Sequence, residues 1–273
     1  MSLRSPRIAQ RAILFWLSIL AAALAPVAAR AGVITMSATY YTIAETDQDM
    51  NHLATGVFNN EVQSTLGADG LPVLNTAPYG CASGCFTPTP LPADLTASGE
   101  ITWWSPALNK GGAGGASDVV QTGIGTVTLP YANTNFYPPN AAGANDANGF
   151  QAAVFATTLV VPTTESISFS VGADDTAFVY LDGSIVCDLG GLHADSPGTC
   201  TTSVLSPGDH TLELFAADLE RTGAALTFSV TTANVTGAPV PEPSTWLVFL
   251  AGLFGFGFCE VRRRRGTGTR GRA

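Results

Sequence analysis

Apolar and polar residues alternate with a period of two through much of the second half of the chain. Ile167, Phe169 and Val171 are separated by serines, and Leu226, Phe228 and Val230 by Thr227 and Ser229; Leu212 and Leu214 keep the same spacing. Successive side chains of a strand point to opposite faces, so this spacing predicts strands with one buried face. Two β-prone runs, Thr176 to Leu181 and Ser184 to Asp188, flank the pair Asp182-Gly183. Glycine accepts positive φ and aspartate tolerates it, so the pair predicts a two-residue hairpin turn. Pro207-Gly208-Asp209 predicts another turn before a strand from His210 to Ala217. Between the two ends of the chain no long stretch carries apolar residues at helical spacing. The expected fold is all-β, an antiparallel β-sandwich or flattened barrel.

The first half is patterned less clearly. Gly111 to Gly115 and Tyr137 to Gly143 read as loops, and Trp103-Trp104 is an aromatic pair in an otherwise polar region. No internal repeat is visible. The one candidate domain boundary lies near Gly143 to Gly149, and the region is long enough for a single buried core without it.

The two ends are apolar for a different reason. Arg4, Arg7 and Arg11 precede an apolar stretch from Ala12 to Leu24, and Ala29-Arg30-Ala31 fits a small-x-small cleavage site before Gly32. This reads as a secretory signal peptide rather than a retained anchor, because the stretch is short and broken at Pro26. At the other end Val240, Pro241, Glu242 and Pro243 precede an apolar run from Trp246 to Cys259, followed by Arg262, Arg263, Arg264 and Arg265. The run approaches the ~20 residues that a helix needs to cross ~30 Å of hydrocarbon, and the arginines hold the far side in the cytoplasm. The prolines cannot continue a helix, so the motif stays extended and accessible on the outer side of the inner membrane.

Motif, span and basic stop in this order resemble the PEP-CTERM sorting signal of Gram-negative bacteria that make extracellular polysaccharide. The resemblance implies recognition by an exosortase-type processing enzyme, removal of the tail and release to the outer surface or matrix. An ordinary single-span anchor is the alternative. The expected division is a signal peptide over 1–31, a β-sandwich over 32–236, the sorting signal over 237–265 and a cytoplasmic tail over 266–273.

Removing both ends changes the charge. Between Gly32 and Val240 there are 19 carboxylates against two cations, Lys110 and Arg221, a net charge near −17. Nucleic acid is excluded as a partner, since binding it relies on neutralising phosphates with Lys and Arg. The same charge favours solubility and attracts divalent cations. With so few cations present, an internal Glu220–Arg221 ion pair is expected rather than a binding role. Cys81 and Cys85 bracket three residues, Cys187 and Cys200 bracket a Gly-rich loop, and Cys259 sits in the apolar tail. In an oxidising compartment the simplest assignment is two local disulfides, Cys81 to Cys85 and Cys187 to Cys200, with the other two pairings open. Zinc is the rival, weakened by the lack of paired Cys-x-x-Cys knuckles.

From Phe169 through Asp174-Asp175, Asp182-Gly183, Asp188 and Gly190-Gly191 to His193, the run is similar to the fibro-slime domain, a branch of the protective-antigen-type β-sandwiches. Weaker blocks extend this over roughly Tyr40 to Thr232: Leu66 to Val73, Ile101 to Trp104, Asn135 to Pro138, Gly208 to Phe215, Glu220 to Gly223 and Leu226 to Thr232. The chain departs from the family where Ala173 replaces an acid and Ala177 an aromatic, and Cys187 and Cys200 read as its own addition. In calcium-dependent lectins of the related class an Asp-Asp pair adopts a cis peptide and binds calcium, which coordinates sugar hydroxyls. The resemblance therefore implies a Ca²⁺ site at Asp174 and Asp175.

Two adjacent strand residues point apart, so both acids reach one ion only where the backbone leaves strand geometry, a departure that Gly172 eases. The competing account is an acidic pair at a strand end, solvated or accepting backbone N–H bonds. Asp188, His193 and Asp195 are candidates for the same surface, with Asp188 and His193 also suited to holding the loop backbone. Imidazole is an unusual calcium ligand, which leaves His193 packing, hydrogen bonding or sugar contact. Trp103 and Trp104 are candidates for stacking on sugar rings, although a sandwich takes at least one of them into its core.

Three functions compete. The first is a surface module binding extracellular polysaccharide with calcium. The second is a structural matrix or biofilm component without a defined ligand, and the third is a glycan-cleaving enzyme. His52, His193 and His210 have no nucleophile motif beside them, and no catalytic signature occurs, so an enzyme is disfavoured.

Overall fold

The computed structural model describes residues 33–47, 56–75, 94–133, 150–220 and 223–238. The leader, Cys81 and Cys85, the candidate boundary at 143–149, Arg221 and the sorting signal from residue 239 onward lie outside the described residues. Among the described residues no helix is long and apolar enough to cross a membrane.

Among the described residues there are eleven strands, in chain order β1 (Thr35–Ile43), β2 (Val119–Thr128), β3 (Tyr131–Asn133), β4 (Phe150–Val161), β5 (Ser168–Ala173), β6 (Thr176–Leu181), β7 (Ser184–Leu189), β8 (Gly198–Thr201), β9 (Gly208–Ala217), β10 (Leu226–Val230) and β11 (Thr236–Gly237). They form two antiparallel sheets. The larger has seven strands, in the order β2-β1-β4-β9-β6-β7 with β11 beside β4, and the smaller runs β3-β10-β5-β8.

The predicted hairpin forms as expected. Asp182 and Gly183 take φ of 50° and 71° between β6 and β7, the doubly positive pair that matches the twist of the flanking strands. The Asp182 carboxylate spans to β9, accepting Thr211 N–H at 2.8 Å and meeting His210 Nδ1 at 2.6 Å.

Alternation decides which residues enter the space between the sheets. Phe169, Val171, Leu226 and Phe228 of the smaller sheet, with Ile167 just before β5, meet Met36, Tyr40, Phe155, Leu159, Leu212 and Leu214 of the larger. Phe169 and Phe228 stack with ring centroids 5.8 Å apart. At one margin, where β7 ends the larger sheet and β8 the smaller, Cys187 and Cys200 form the expected disulfide and tie the sheets together.

The larger sheet is also covered on its other face. Strand β6 is buried at every position: Ala177, Val179 and Leu181 face the smaller sheet, while Phe178 and Tyr180 enter a second core with Ile43, Phe150, Phe215, Val62, Leu74 and the two tryptophans. Residues 56–75 and 94–118, read from sequence as the looser part, build this cover through single β-bridges, including Phe58 to Gly190, Val62 to Leu74 and Val73 to Glu100.

Trp103 and Trp104 are 0% and 3% exposed. Trp104 meets Phe215 and Phe178 edge-on at 5.3 and 6.3 Å and donates its indole N–H to Ala216 O at 2.9 Å. Both tryptophans are core, so the expectation that they stack on sugar rings is corrected: neither ring presents a face to solvent.

Candidate functional site

Asp174 and Asp175 occupy the crossing from β5 in one sheet to β6 in the other, and the peptide bond between them is cis. The acids are therefore at the point where the backbone leaves strand geometry. Asp174 N–H still donates to Ala225 O at 2.8 Å, which fixes the end of β5 against the segment before β10.

Asp175 is 2% exposed and accepts two backbone N–H groups, from His193 at 3.0 Å and Leu219 at 2.7 Å. It thereby fastens the loops that follow β7 and β9 to the crossing. Asp174 is half-buried, and a Cβ at Gly223 would crowd its carboxylate. From the other side, Asp195 approaches β5 so closely that a Cβ at Gly172 would take the place of its carboxylate oxygen, and Asp195 accepts the Thr227 hydroxyl at 3.2 Å. Gly172 is thus needed for this close approach of Asp195, beyond the backbone freedom expected of it.

Burial, followed by the neighbouring charge of Asp175, pushes Asp174 up to about 7, and Asp195 adds to the rise while His193 opposes it. Burial also raises Asp175 against the pull of its two N–H donors. Lys110, the one lysine or arginine among the described residues, is not among the groups acting on either acid.

His193 has a defined orientation. A carbonyl only accepts, so the 3.1 Å contact from Nδ1 to Ala194 O places the proton on Nδ1. In the neutral ring Nε2 then carries a lone pair, and it is buried with no partner among the described residues. Carboxylates gathered with no lysine or arginine beside them among the described residues fit a hard divalent ion with oxygen ligands.

The structure divides the remaining candidates. His193 and Asp195 join the acid pair, whereas Asp188 does not: its side chain accepts Val62 N–H at 3.0 Å and helps hold the cover layer. There it lies against the fully buried Glu61, below Gly190, where a Cβ would displace the Glu61 carboxylate. Asp188 lines a separate groove of about 720 Å³ with Asn59, Asn60, Val186, Ser196 and Thr199.

A second acidic cluster is one that sequence reasoning missed. Carboxylate oxygens of Asp47, Asp94 and Asp118 lie within 4.8 Å of one another, with Asp47 and Asp94 buried. Asn109 organises them, donating to Asp94 at 2.8 Å and accepting Asp118 N–H at 3.1 Å. Burial raises Asp118. This triad is a donor set that could hold a metal ion. Its members come from three distant segments, and no local motif announces them.

A family model for the PEP-CTERM protein-sorting motif matches residues 239–264. Comparison with curated proteins gives no match. Among solved structures, a PA14 sugar-binding domain from an RTX adhesin is similar over 76% of this chain and 96% of its own, at 13% identity and a TM-score of 0.34. The PA14 domain of the MpAFP antifreeze protein is similar over 79% of this chain and 94% of its own, at 12% identity and a TM-score of 0.34. A beta-glucosidase from Kluyveromyces marxianus, solved with glucose, is similar over 45% of this chain at 10% identity and a TM-score of 0.30, and the chain covers 14% of that enzyme.

Proposed function

We propose that this is an exported cell-surface or matrix protein, handed to an exosortase-type enzyme by its sorting motif, whose sandwich binds extracellular polysaccharide with Ca²⁺ held at Asp174 and Asp175. The observation that carries the reading is the meeting of Asp174, Asp175 and Asp195 where two sheets and three loops join, with no described lysine or arginine acting on the acid pair. Asp174 and Asp175 supply hard oxygen ligands, and Asp195 lies beside them. A bound calcium ion offers open coordination positions to vicinal sugar hydroxyls. In this reading the module is a binder and not an enzyme, so polysaccharide incubated with it keeps its length.

Thermal melting of the protein is expected to rise with calcium and fall with chelator, and Asp174→Ala removes that response together with retention on a glycan array. Identical melting with calcium and with chelator rejects the metal. A calcium response that survives Asp174→Ala and is lost in Asp94→Asn moves the ion to the triad of Asp47, Asp94 and Asp118.

A further inference from the structure

Strand β2 ends the larger sheet, and its inner side is paired with β1 over its whole length. Leu129 N–H donates to Ile34 O at 2.9 Å. Alternation along an antiparallel ladder then turns the backbone N–H and C=O groups of Thr128, Thr126 and Ile124 to the open side. Among the described residues nothing pairs with them.

The strand is bare on its faces as well. Between the buried Val119 and Val127 every residue is exposed or half-buried, with Ile124 at 74% and Val120 at 59%. Sheet edges are ordinarily protected by charged side chains, proline or a covering segment. The sequence Val-Val-Gln-Thr-Gly-Ile-Gly-Thr-Val-Thr contains neither a charge nor a proline. Among the described strands only β7, with Asp188, and β9, with Asp209 and Glu213, carry carboxylates, so β2 is an uncharged edge in an otherwise acidic region.

We propose that β2 is the contact between two copies of this chain. The copies pair antiparallel about a two-fold axis at Thr126, with Ile124 of each opposite Thr128 of the other, so that two larger sheets become one. This register engages all three outward-facing residues. Charge selects the occupant: a basic partner would be drawn to the acidic surface, whereas two acidic copies repel except along a neutral strip. A two-fold contact must also complement itself, and an uncharged run of Thr, Gly, Ile and Val does so. Strand pairing alone buries a small area, so the dimer is weak in dilute solution and favoured by crowding on a surface.

Sedimentation of the full-length chain in detergent, over a concentration series, is expected to show a monomer–dimer equilibrium. Thr126→Lys sets two ammonium groups face to face at the axis and is expected to abolish the dimer without lowering the melting temperature. Thr126→Cys is expected to give a covalent dimer on mild oxidation, above the background of wild type and of Gln121→Cys, which lies outside the overlap. If Thr126→Lys fails to fold, the cysteine comparison still decides. A wild type that stays monomeric, a dimer that survives in folded Thr126→Lys, or equal cross-linking at positions 121 and 126 overturns the proposal.

Discussion

The two faces of the larger sheet are held by different means. Toward the smaller sheet the contact is apolar, Phe169, Val171, Leu226 and Phe228 against Tyr40, Phe155 and Leu214, closed at one margin by the Cys187–Cys200 bond. Toward the cover the contact is apolar at its centre, around Trp104 and Phe215, but buried carboxylates fasten the irregular backbone at its edges. Glu100, itself fully buried, accepts Ser98 Oγ at 2.8 Å, Thr96 Oγ1 at 3.1 Å and Asp69 N–H at 2.8 Å. Burial acts against its charge, yet these three donors hold its pKa below the ordinary value. A ladder satisfies its own backbone groups, whereas a segment making only single bridges needs side chains to do so. One face therefore depends on hydrophobic burial and the other also on protonation states.

The sharpest test of that contrast is Trp104→Ala. It empties the centre of the cover and leaves the Ala216 carbonyl without its donor, so a loss of about 3–5 kcal/mol is expected in denaturant melts. A loss below about 1 kcal/mol would show that the cover contributes little to stability. Next is the double variant Cys187→Ser with Cys200→Ser, which opens a link across 13 residues. It is expected to cost about 3 kcal/mol on the sandwich side and to leave the tryptophan emission spectrum of the folded protein unchanged.

The smallest effect is in pH. Burial raises Asp188 to about 6, and burial with the charge of Asp188 raises Glu61. A carboxyl with a raised folded pKa keeps more protons folded than unfolded, so the stability tied to it is full at acid pH. It falls as pH climbs from near the unfolded value of about 4 through the folded one. Up to about 2 kcal/mol should be lost between pH 4 and 7, and Glu61→Gln should flatten that slope in melts followed by tryptophan fluorescence. An equally steep slope in Glu61→Gln would remove the pair as its source.

What was legible in the sequence follows the same division. Strands β5, β9 and β10 show one buried face and a period of two, and the β6–β7 turn is written in Asp182-Gly183. In the cover only Gly111 to Gly115 reads as loop and the rest is patterned too weakly for strands to be assigned, because a layer of isolated bridges has no period and its buried residues are spaced by backbone path. Its signals are the weak block Leu66 to Val73 and the pair Trp103-Trp104, and the polar sequence around the pair hides its burial.

The acid pair was legible as neighbours in the chain, and Asp195 through its position after the Gly-Gly loop. Asp188 was misplaced because its register opposite Phe178 points it at the cover, which a linear distance of five residues from His193 conceals. Asp47, Asp94 and Asp118 share no local signature at all.

The far margin of the larger sheet has a consequence for assembly. Segment 58–66 lies along β7, through Phe58 against Gly190, Thr65 against Ser184, and Ile185 N–H to Ser64 O at 2.9 Å. With that border occupied, the larger sheet has one free end among the described residues. Units that join by a single end can form couples, but chaining them into fibrils would require a second docking point. Under the proposed β2 contact, growth through this sheet would stop at two copies.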